Sequence, residues 1–125
     1  MEKILIIDDD FNNRDILRIR LERAGYQVLE AENGDDGLNI ASKENINLII
    51  LDVMMPKKDG WLVCKMLKDN AKTQEIPVII LTARSLPIDE LRSLECGADG
   101  YVPKPIDHIL LLKNVEELLK KHKTV

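Results

Sequence analysis

The sequence has no apolar run long enough to cross a membrane. A membrane-spanning helix needs about 20 consecutive apolar residues, and the apolar runs here are much shorter. The first of them, residues 4–7, leads directly into Asp8, Asp9 and Asp10, which a secretory signal would not contain at that point. We therefore expect a protein that is neither inserted in a membrane nor secreted, and a cytoplasmic location.

The sequence also has few cysteines and no net positive charge. The two cysteines, Cys64 and Cys96, lack the spacing of a metal site or a disulfide framework, and we expect both to be buried thiols. A net charge of −4 disfavours direct binding of the domain to nucleic acid. Hydrophobic residues make up 45% of the 125 residues, which is the size and composition of one folded domain.

Five segments predict β-strands. Three of them carry uninterrupted runs of Ile, Leu and Val, which is typical of strands buried on both faces of a parallel sheet. The segments are Lys3–Ile7, Gln27–Ala31, Asn47–Leu51, Pro77–Leu81 and Gly100–Pro103. Because a proline cannot donate a hydrogen bond to a neighbouring strand, Pro103 favours an edge position for the last one.

Helical patterns alternate with these strands. Glycines follow two of the patterns as stop signals. The predicted helices are a first one that ends at Gly25, then Gly34–Lys43, Gly60–Asn70, Ile88–Cys96 and Asp107–Lys121. The alternation predicts right-handed crossovers and a doubly wound α/β sandwich. We expect a single domain over residues 1–125, with no output domain in this chain.

Polar side chains follow the predicted strands at their carboxyl ends. They are Asp8 and Asp9 after the first strand, Asp52 after the third, Thr82 after the fourth and Lys104 after the fifth. Since all strands of a parallel sheet point the same way, we expect these side chains to gather at one edge. Open α/β sheets bind their ligands at that edge.

The predicted cluster combines carboxylates with one ammonium group. Carboxylates within a few ångströms repel each other, so a cation is needed to keep all of them ionised. Oxygen ligands without a nearby His or Cys suit Mg²⁺, and a lysine beside such a site suits a phosphate. A carboxylate such as Asp52 could then accept the phosphoryl group as an acyl phosphate.

Four motifs make the chain resemble the receiver domain of two-component response regulators. They are ILIIDDD (4–10), LDVMMPKKDG (51–60), VIILTA (78–83) and GADGYVPKP (97–105). Because no output segment is recognised, we expect a stand-alone regulator of the chemotaxis type or, equally, a receiver excised from a longer protein. The resemblance implies a flavodoxin-like, five-stranded parallel sheet in the order 2-1-3-4-5, with helices on both faces. It also implies a protein that is phosphorylated by a sensor histidine kinase or phosphotransfer protein and is not a turnover enzyme.

The resemblance implies a role for each matching residue in the phosphorylation chemistry. Asp52 would be the phospho-acceptor. Asp9, Asp52 and the backbone carbonyl of Met54 would bind Mg²⁺ or Mn²⁺ directly, and Asp8 would bind it through a water molecule. Met54 and Arg84 would tune the lifetime of the phosphate, because their side chains would hinder the attacking water.

The resemblance also implies the residues that report phosphorylation to a partner. Thr82 would hydrogen-bond to the phosphoryl group, Lys104 would pair with one of its oxygens, and Tyr101 would be the aromatic switch. The Lys104–Pro105 peptide bond would be cis. A downstream protein would dock on the face formed by residues 88–121, without direct binding of nucleic acid.

Two other functions fit parts of the pattern. A phosphatase of the haloacid dehalogenase type would use Asp8 as nucleophile with Asp10 two residues on, although the late acidic pair of those enzymes is missing. A degenerate receiver would bind partners without phosphorylation, which the intact site disfavours. As a structural alternative, Asp10 fits the N-cap of the first helix. His108 and His122 are expected to be solvated and to have no phosphohistidine role.

Overall fold

The computed structural model describes residues 1–53, 60–82 and 95–123, and strands and helices alternate along them. The strands are β1 Lys3–Ile7, β2 Gln27–Ala31, β3 Leu48–Asp52, β4 Val78–Thr82 and β5 Gly100–Pro103. The helices are α1 Phe11–Arg23, α2 Gly34–Lys43, α3 Gly60–Asp69 and α4 His108–Lys123. Most of the predicted helix Ile88–Cys96 lies outside the described residues, as do Met54 and Arg84.

The strands form one parallel sheet in the order β2-β1-β3-β4-β5. This confirms the predicted fold class and strand order. β5, which carries Pro103, lies at the edge as expected. The register pairs Asp52 with Leu81 and Thr82 with Pro103, so the carboxyl ends of β3, β4 and β5 lie side by side.

Two separate layers of side chains cover the sheet, because alternate residues of a strand face opposite sides. Leu5, Ile7, Ile49 and Leu51 pack on the side of α2 and α3. Ile4, Ile6, Leu48 and Ile50 pack on the side of α1 and α4. All residues of β3 and β4 are buried, as their uninterrupted apolar runs predict. The sheet therefore gives a rigid support for the residues at its carboxyl edge.

A short turn connects β1 to α1 and contains the three consecutive aspartates. Asp10 is the N-cap of α1, and its Oδ1 atom accepts hydrogen bonds from the backbone N–H groups of Asn12 (2.8 Å) and Asn13 (3.3 Å). This confirms the capping role expected from the sequence. Asp8 and Asp9 are thereby held between the end of a buried strand and the start of a helix.

The two central strands extend one residue further than their apolar runs. Asp52 and Thr82 are the last residues of β3 and β4, where the sequence placed them just after the strands. Pairing continues past Asp52, since the backbone N–H of Val53 donates to the carbonyl of Leu81 at 3.1 Å. Both polar side chains are consequently buried, with 3% of Asp52 and 1% of Thr82 exposed.

None of the described helices has the length and apolarity that a membrane crossing requires.

Candidate functional site

Three carboxylates meet at the carboxyl edge of the sheet. Asp8, Asp9 and Asp52 each place one oxygen within 4.8 Å of the others. Asp8 and Asp52 are buried, whereas Asp9 is exposed. The topology brings them together because β1 and β3 are neighbours and run in the same direction. The cluster therefore has two buried members and one member that faces solvent.

Asp8 is fixed by hydrogen bonds at all but one of its polar groups. Its N–H donates to the carbonyl of Ala31 (3.1 Å), and its Oδ1 accepts from the N–H of Asp10 (2.9 Å). Its own carbonyl accepts from Arg14 Nη1 at 2.7 Å. The remaining Oδ2 atom is buried, and no donor among the described residues reaches it. A buried carboxylate oxygen without a partner is costly, so this atom is suited to a cation.

The surroundings of Asp8 disfavour its charge. Loss of hydration by burial, and then the nearby charge of Asp52, raise the pKa of Asp8 to about 6. Lys104 acts in the opposite direction but does not compensate. Among the described groups the cluster therefore has more negative charge than the protein neutralises, and a bound cation would favour the ionised form of all three carboxylates.

Lys104 supplies the positive charge of the site. Its Nζ atom lies 3.0 Å from Asp52 Oδ2, and 25% of the lysine side chain is exposed against 4% of the aspartate side chain. The backbone N–H of Lys104 donates to the carbonyl of Thr82 at 2.6 Å, which ties the loop after β5 to the end of β4. The Lys104–Pro105 peptide bond is cis.

The two remaining residues of the expected switch lie on neighbouring strands. Thr82 ends β4, beside the strand that carries Asp52, and is 1% exposed. Tyr101 lies on β5, is half-buried, and packs against the core on the α2 and α3 side of the sheet. The predicted metal ligand Met54 and the predicted rate-tuning residue Arg84 fall outside the described residues.

Sequence reasoning missed Arg14. This residue lies in the first turns of α1, where the positive end of the helix dipole makes a cation unfavourable. A basic residue at that place indicates a local partner, and this was the available signal. The partners are the carbonyl of Asp8 and Glu30, whose Oε1 atom lies 3.2 Å from Arg14 Nε.

The expectation that His108 is solvated is wrong. The residue is half-buried, and its Nδ1 atom is buried with no hydrogen-bond partner in the part of the chain that the structure describes. Burial and the nearby charge of Arg20 lower the pKa of His108. The side chain lines a small cavity beside Lys104 and Ile106. The position of His108 at the start of α4 does not reveal this burial, because the cavity is also lined by Ile16 and Leu17 of α1, which are distant in sequence.

Comparison with known proteins gives consistent results. The chain matches the response regulator receiver domain over residues 4–116. It is 42% identical over 121 residues to the DNA-binding dual master transcriptional regulator RpaA of Synechocystis. The match covers 97% of this chain and 50% of that protein. The chain is 39% identical to the transcriptional regulatory protein AfsQ1 of Streptomyces coelicolor, covering 97% of this chain and 52% of that one.

A solved structure with the same fold is that of the chemotaxis protein CheY4 of Vibrio cholerae. Its TM-score is 0.89 with 30% sequence identity, and the match covers 94% of this chain and 98% of the other. The chain thus spans nearly all of this structural neighbour, but only about half the length of the curated relatives it matches.

Proposed function

The chain belongs to the response regulator receiver domain family of two-component signalling, and on that premise we propose that it is a switch operated by phosphorylation of Asp52. The main support for this proposal is the environment of the Asp52 side chain. It is 3% exposed, Lys104 Nζ lies 3.0 Å from its Oδ2, and Asp8 and Asp9 place oxygens within 4.8 Å. These are the groups that an acyl phosphate needs for its formation.

Mg²⁺, or Mn²⁺ in its place, is the proposed cofactor. Asp8, Asp9 and Asp52 would hold it, together with the carbonyl of Met54. The buried Asp8 Oδ2, with no donor within reach in the described part of the chain, fits such a cation, and carboxylate oxygens are the ligands that Mg²⁺ prefers. When bound, the cation neutralises charge on the carboxylates and on the phosphoryl group.

Each side chain of the site then has a separate role in phosphoryl transfer and in the response to it. An oxygen of Asp52 attacks the phosphorus atom, the new O–P bond forms, and the bond from phosphorus to the donor breaks. Lys104, already paired with Asp52, stabilises negative charge on the transferring group. After transfer the hydroxyl of Thr82 donates a hydrogen bond to a phosphoryl oxygen, and Tyr101 turns toward the space that Thr82 leaves.

The position of Lys104 supports Asp52 rather than Asp8 as the acceptor. Lys104 Nζ pairs with Asp52, whereas Oδ1 of Asp8 is occupied by the N–H of Asp10. These contacts disfavour the phosphatase alternative, in which Asp8 would carry the phosphate.

The phosphoryl donor that we propose is a sensor histidine kinase or a phosphotransfer protein, in the cytoplasm. A downstream protein would dock on the face of residues 88–121, of which 95–121 are described. The stand-alone chemotaxis type is not supported, because relatives such as RpaA are named as transcriptional regulators and are about twice as long. For the same reason the absence of nucleic-acid binding stays a prediction about these 125 residues alone.

Labelling with acetyl phosphate tests the acceptor. We expect the intact protein to gain one phosphoryl group in the presence of Mg²⁺, and to gain none in the presence of a chelator or in the Asp52→Asn variant. Phosphate on Asp8 would indicate the phosphatase, and absence of labelling in the wild type would indicate a degenerate receiver. Either result overturns the proposal.

Amide chemical shifts test the proposed docking face. Beryllium fluoride with Mg²⁺ serves as a stand-in for the aspartyl phosphate. We expect shift changes to extend from the site to residues 95–121, because Thr82 and Tyr101 connect the two regions. Changes confined to the neighbourhood of residues 8–10, 52 and 82 would show that another face carries the signal.

A further inference from the structure

Arg14 is a nearly buried cation next to the acidic cluster. Only 11% of its side chain is exposed. Its Nη1 atom donates to the carbonyl of Asp8 at 2.7 Å, and its Nε atom donates to Glu30 Oε1 at 3.2 Å. The guanidinium group also lies over the ring of Phe11, 5.8 Å from its centre. These contacts give the side chain a single well-defined position.

The bond to the carbonyl of Asp8 fixes a peptide group that matters for the site. The N–H of Asp8 is held by the sheet, through the carbonyl of Ala31. Its carbonyl lies beyond the last residue of β1 and is held by Arg14. That carbonyl belongs to the peptide group between Asp8 and Asp9, so its orientation determines the directions in which the two carboxylates leave the backbone.

We propose that Arg14 is a positioning residue for the metal site, which fixes the peptide between Asp8 and Asp9 and thereby the directions of both carboxylates. This inference rests on the proposed Mg²⁺ binding of the acidic cluster. Among the described residues, Arg14 makes no hydrogen bond to the carboxylate oxygens that would bind the metal. Its contribution is to reduce the number of orientations that the two carboxylates can adopt before the cation binds.

Glu30 makes this arrangement compatible with cation binding. A lone guanidinium group so close to the cluster would repel a divalent cation. Glu30 pairs with the Nε atom of Arg14 and also lies 3.7 Å from Arg18 Nε, so it offsets part of this positive charge. Positioning and charge therefore have opposite effects in Arg14→Ala. Loss of positioning weakens Mg²⁺ binding, whereas loss of a positive charge strengthens it.

Calorimetric titration with Mg²⁺ alone distinguishes the two effects. The full chain is used at constant ionic strength, with far-UV circular dichroism and thermal unfolding to verify that each variant is folded. We expect Arg14→Ala to bind Mg²⁺ about 10-fold more weakly, the lower end of the effect of groups that orient metal ligands. Arg18→Ala is the matched control, because Arg18 also pairs with Glu30 but makes no hydrogen bond to Asp8. It should bind Mg²⁺ at least as tightly as the wild type does.

A conservative variant and a spectroscopic readout complete the test. Arg14→Lys keeps the charge and one donor, so it should recover part of the affinity that Arg14→Ala loses. In the metal-free protein the amide signals of Asp9 and Asp10 should shift in Arg14→Ala and stay in place in Arg18→Ala. If Arg14→Ala does not fold, the comparison of Arg14→Lys with Arg18→Lys decides, since only the first should weaken binding.

The outcomes separate this inference from the proposed function. Wild-type protein that does not bind Mg²⁺ refutes the proposed metal site itself. Wild-type binding together with unchanged or tighter binding by Arg14→Ala refutes the positioning role and leaves the metal site in place. If Arg14→Ala and Arg18→Ala weaken Mg²⁺ binding equally, the positioning role is also refuted, because the loss of affinity would then come from a change in α1 that is not specific to Arg14.

Discussion

Replacement of Asp8 by asparagine should stabilise the metal-free protein and abolish its stabilisation by Mg²⁺. The side chain has almost the same shape in both residues. The amide oxygen of asparagine can still accept from the N–H of Asp10, which lies 2.9 Å from Oδ1 in the wild type. The amide NH₂ group would replace Oδ2, the buried atom that no described donor reaches, and would face the carboxylate of Asp52 as a donor.

The size of the effect follows from the pKa of Asp8, which the fold raises from the ordinary 3.8 to about 6. At about 1.4 kcal/mol per pKa unit, ionised Asp8 lowers the free energy of unfolding by at most about 3 kcal/mol. Because the native state binds the proton more tightly than the unfolded chain, the wild type loses stability as the pH rises from about 4 to 6. The Asp8→Asn variant has no carboxyl group at this position and does not lose this stability. The difference in free energy of unfolding between the variant and the wild type therefore grows over that pH range and is constant at higher pH.

Urea unfolding followed by circular dichroism measures the difference. With a chelator at a pH of about 7.5, Asp8→Asn should be more stable than the wild type by roughly 1–3 kcal/mol. At a Mg²⁺ concentration about 100 times the dissociation constant, the wild type should gain about 2.7 kcal/mol, and the variant should gain little.

Asp9→Asn is the matched control for the stability measurement. Asp9 is exposed, so its replacement should also weaken Mg²⁺ binding but should leave the metal-free stability within about 0.5 kcal/mol of the wild type. A metal-free Asp8→Asn variant that is less stable than the wild type at a pH of about 7.5, or a difference independent of pH, would refute the reasoning about a buried, repelled carboxylate.

Three further variants have defined outcomes. Lys104→Ala should slow phosphorylation by acetyl phosphate about 100-fold at saturating Mg²⁺, and an unchanged rate would remove this lysine from the chemistry. Met54→Asn combined with Arg84→Glu should speed loss of the phosphate, as measured by its half-life, and unchanged or slower decay would contradict the argument that these side chains hinder the attacking water. Gly60→Ala should lower the free energy of unfolding by about 1–3 kcal/mol in urea, since the added Cβ would collide with the Val53 backbone. Full stability would show that α3 can shift.

Much of the fold was predictable because the central strands are buried on both faces. Continuous apolar runs mark such strands, and their alternation with helices indicates a parallel, doubly wound sheet. The strand order was implied by the resemblance to receiver domains. The predicted ends of β3 and β4 were one residue short of the observed ends, Asp52 and Thr82. Backbone pairing continues there whatever the polarity of the side chain. The gathering of acids at the carboxyl edge followed from the common direction of the strands.

Differences between neighbouring residues in the site were not predictable. Asp8 and Asp9 are identical in chemistry and adjacent in sequence, yet one is buried and the other exposed. The turn into α1 determines which is which. The partner of Arg14 was hidden for another reason. A basic residue early in α1 indicates that a local partner exists, but Arg14 donates to a backbone carbonyl, and the sequence does not reveal which carbonyl that is.

In the part of the chain that the structure describes, the two side-chain layers of the core lie on opposite faces of the sheet and are separated by its backbone. Substitutions on the α1 and α4 side repack against one set of strand residues, and those on the α2 and α3 side against the other. A duplicated gene could therefore change the helices on one face while the opposite face keeps its packing. The fold thus allows the two helical faces to diverge independently during evolution, with the same acidic edge between them.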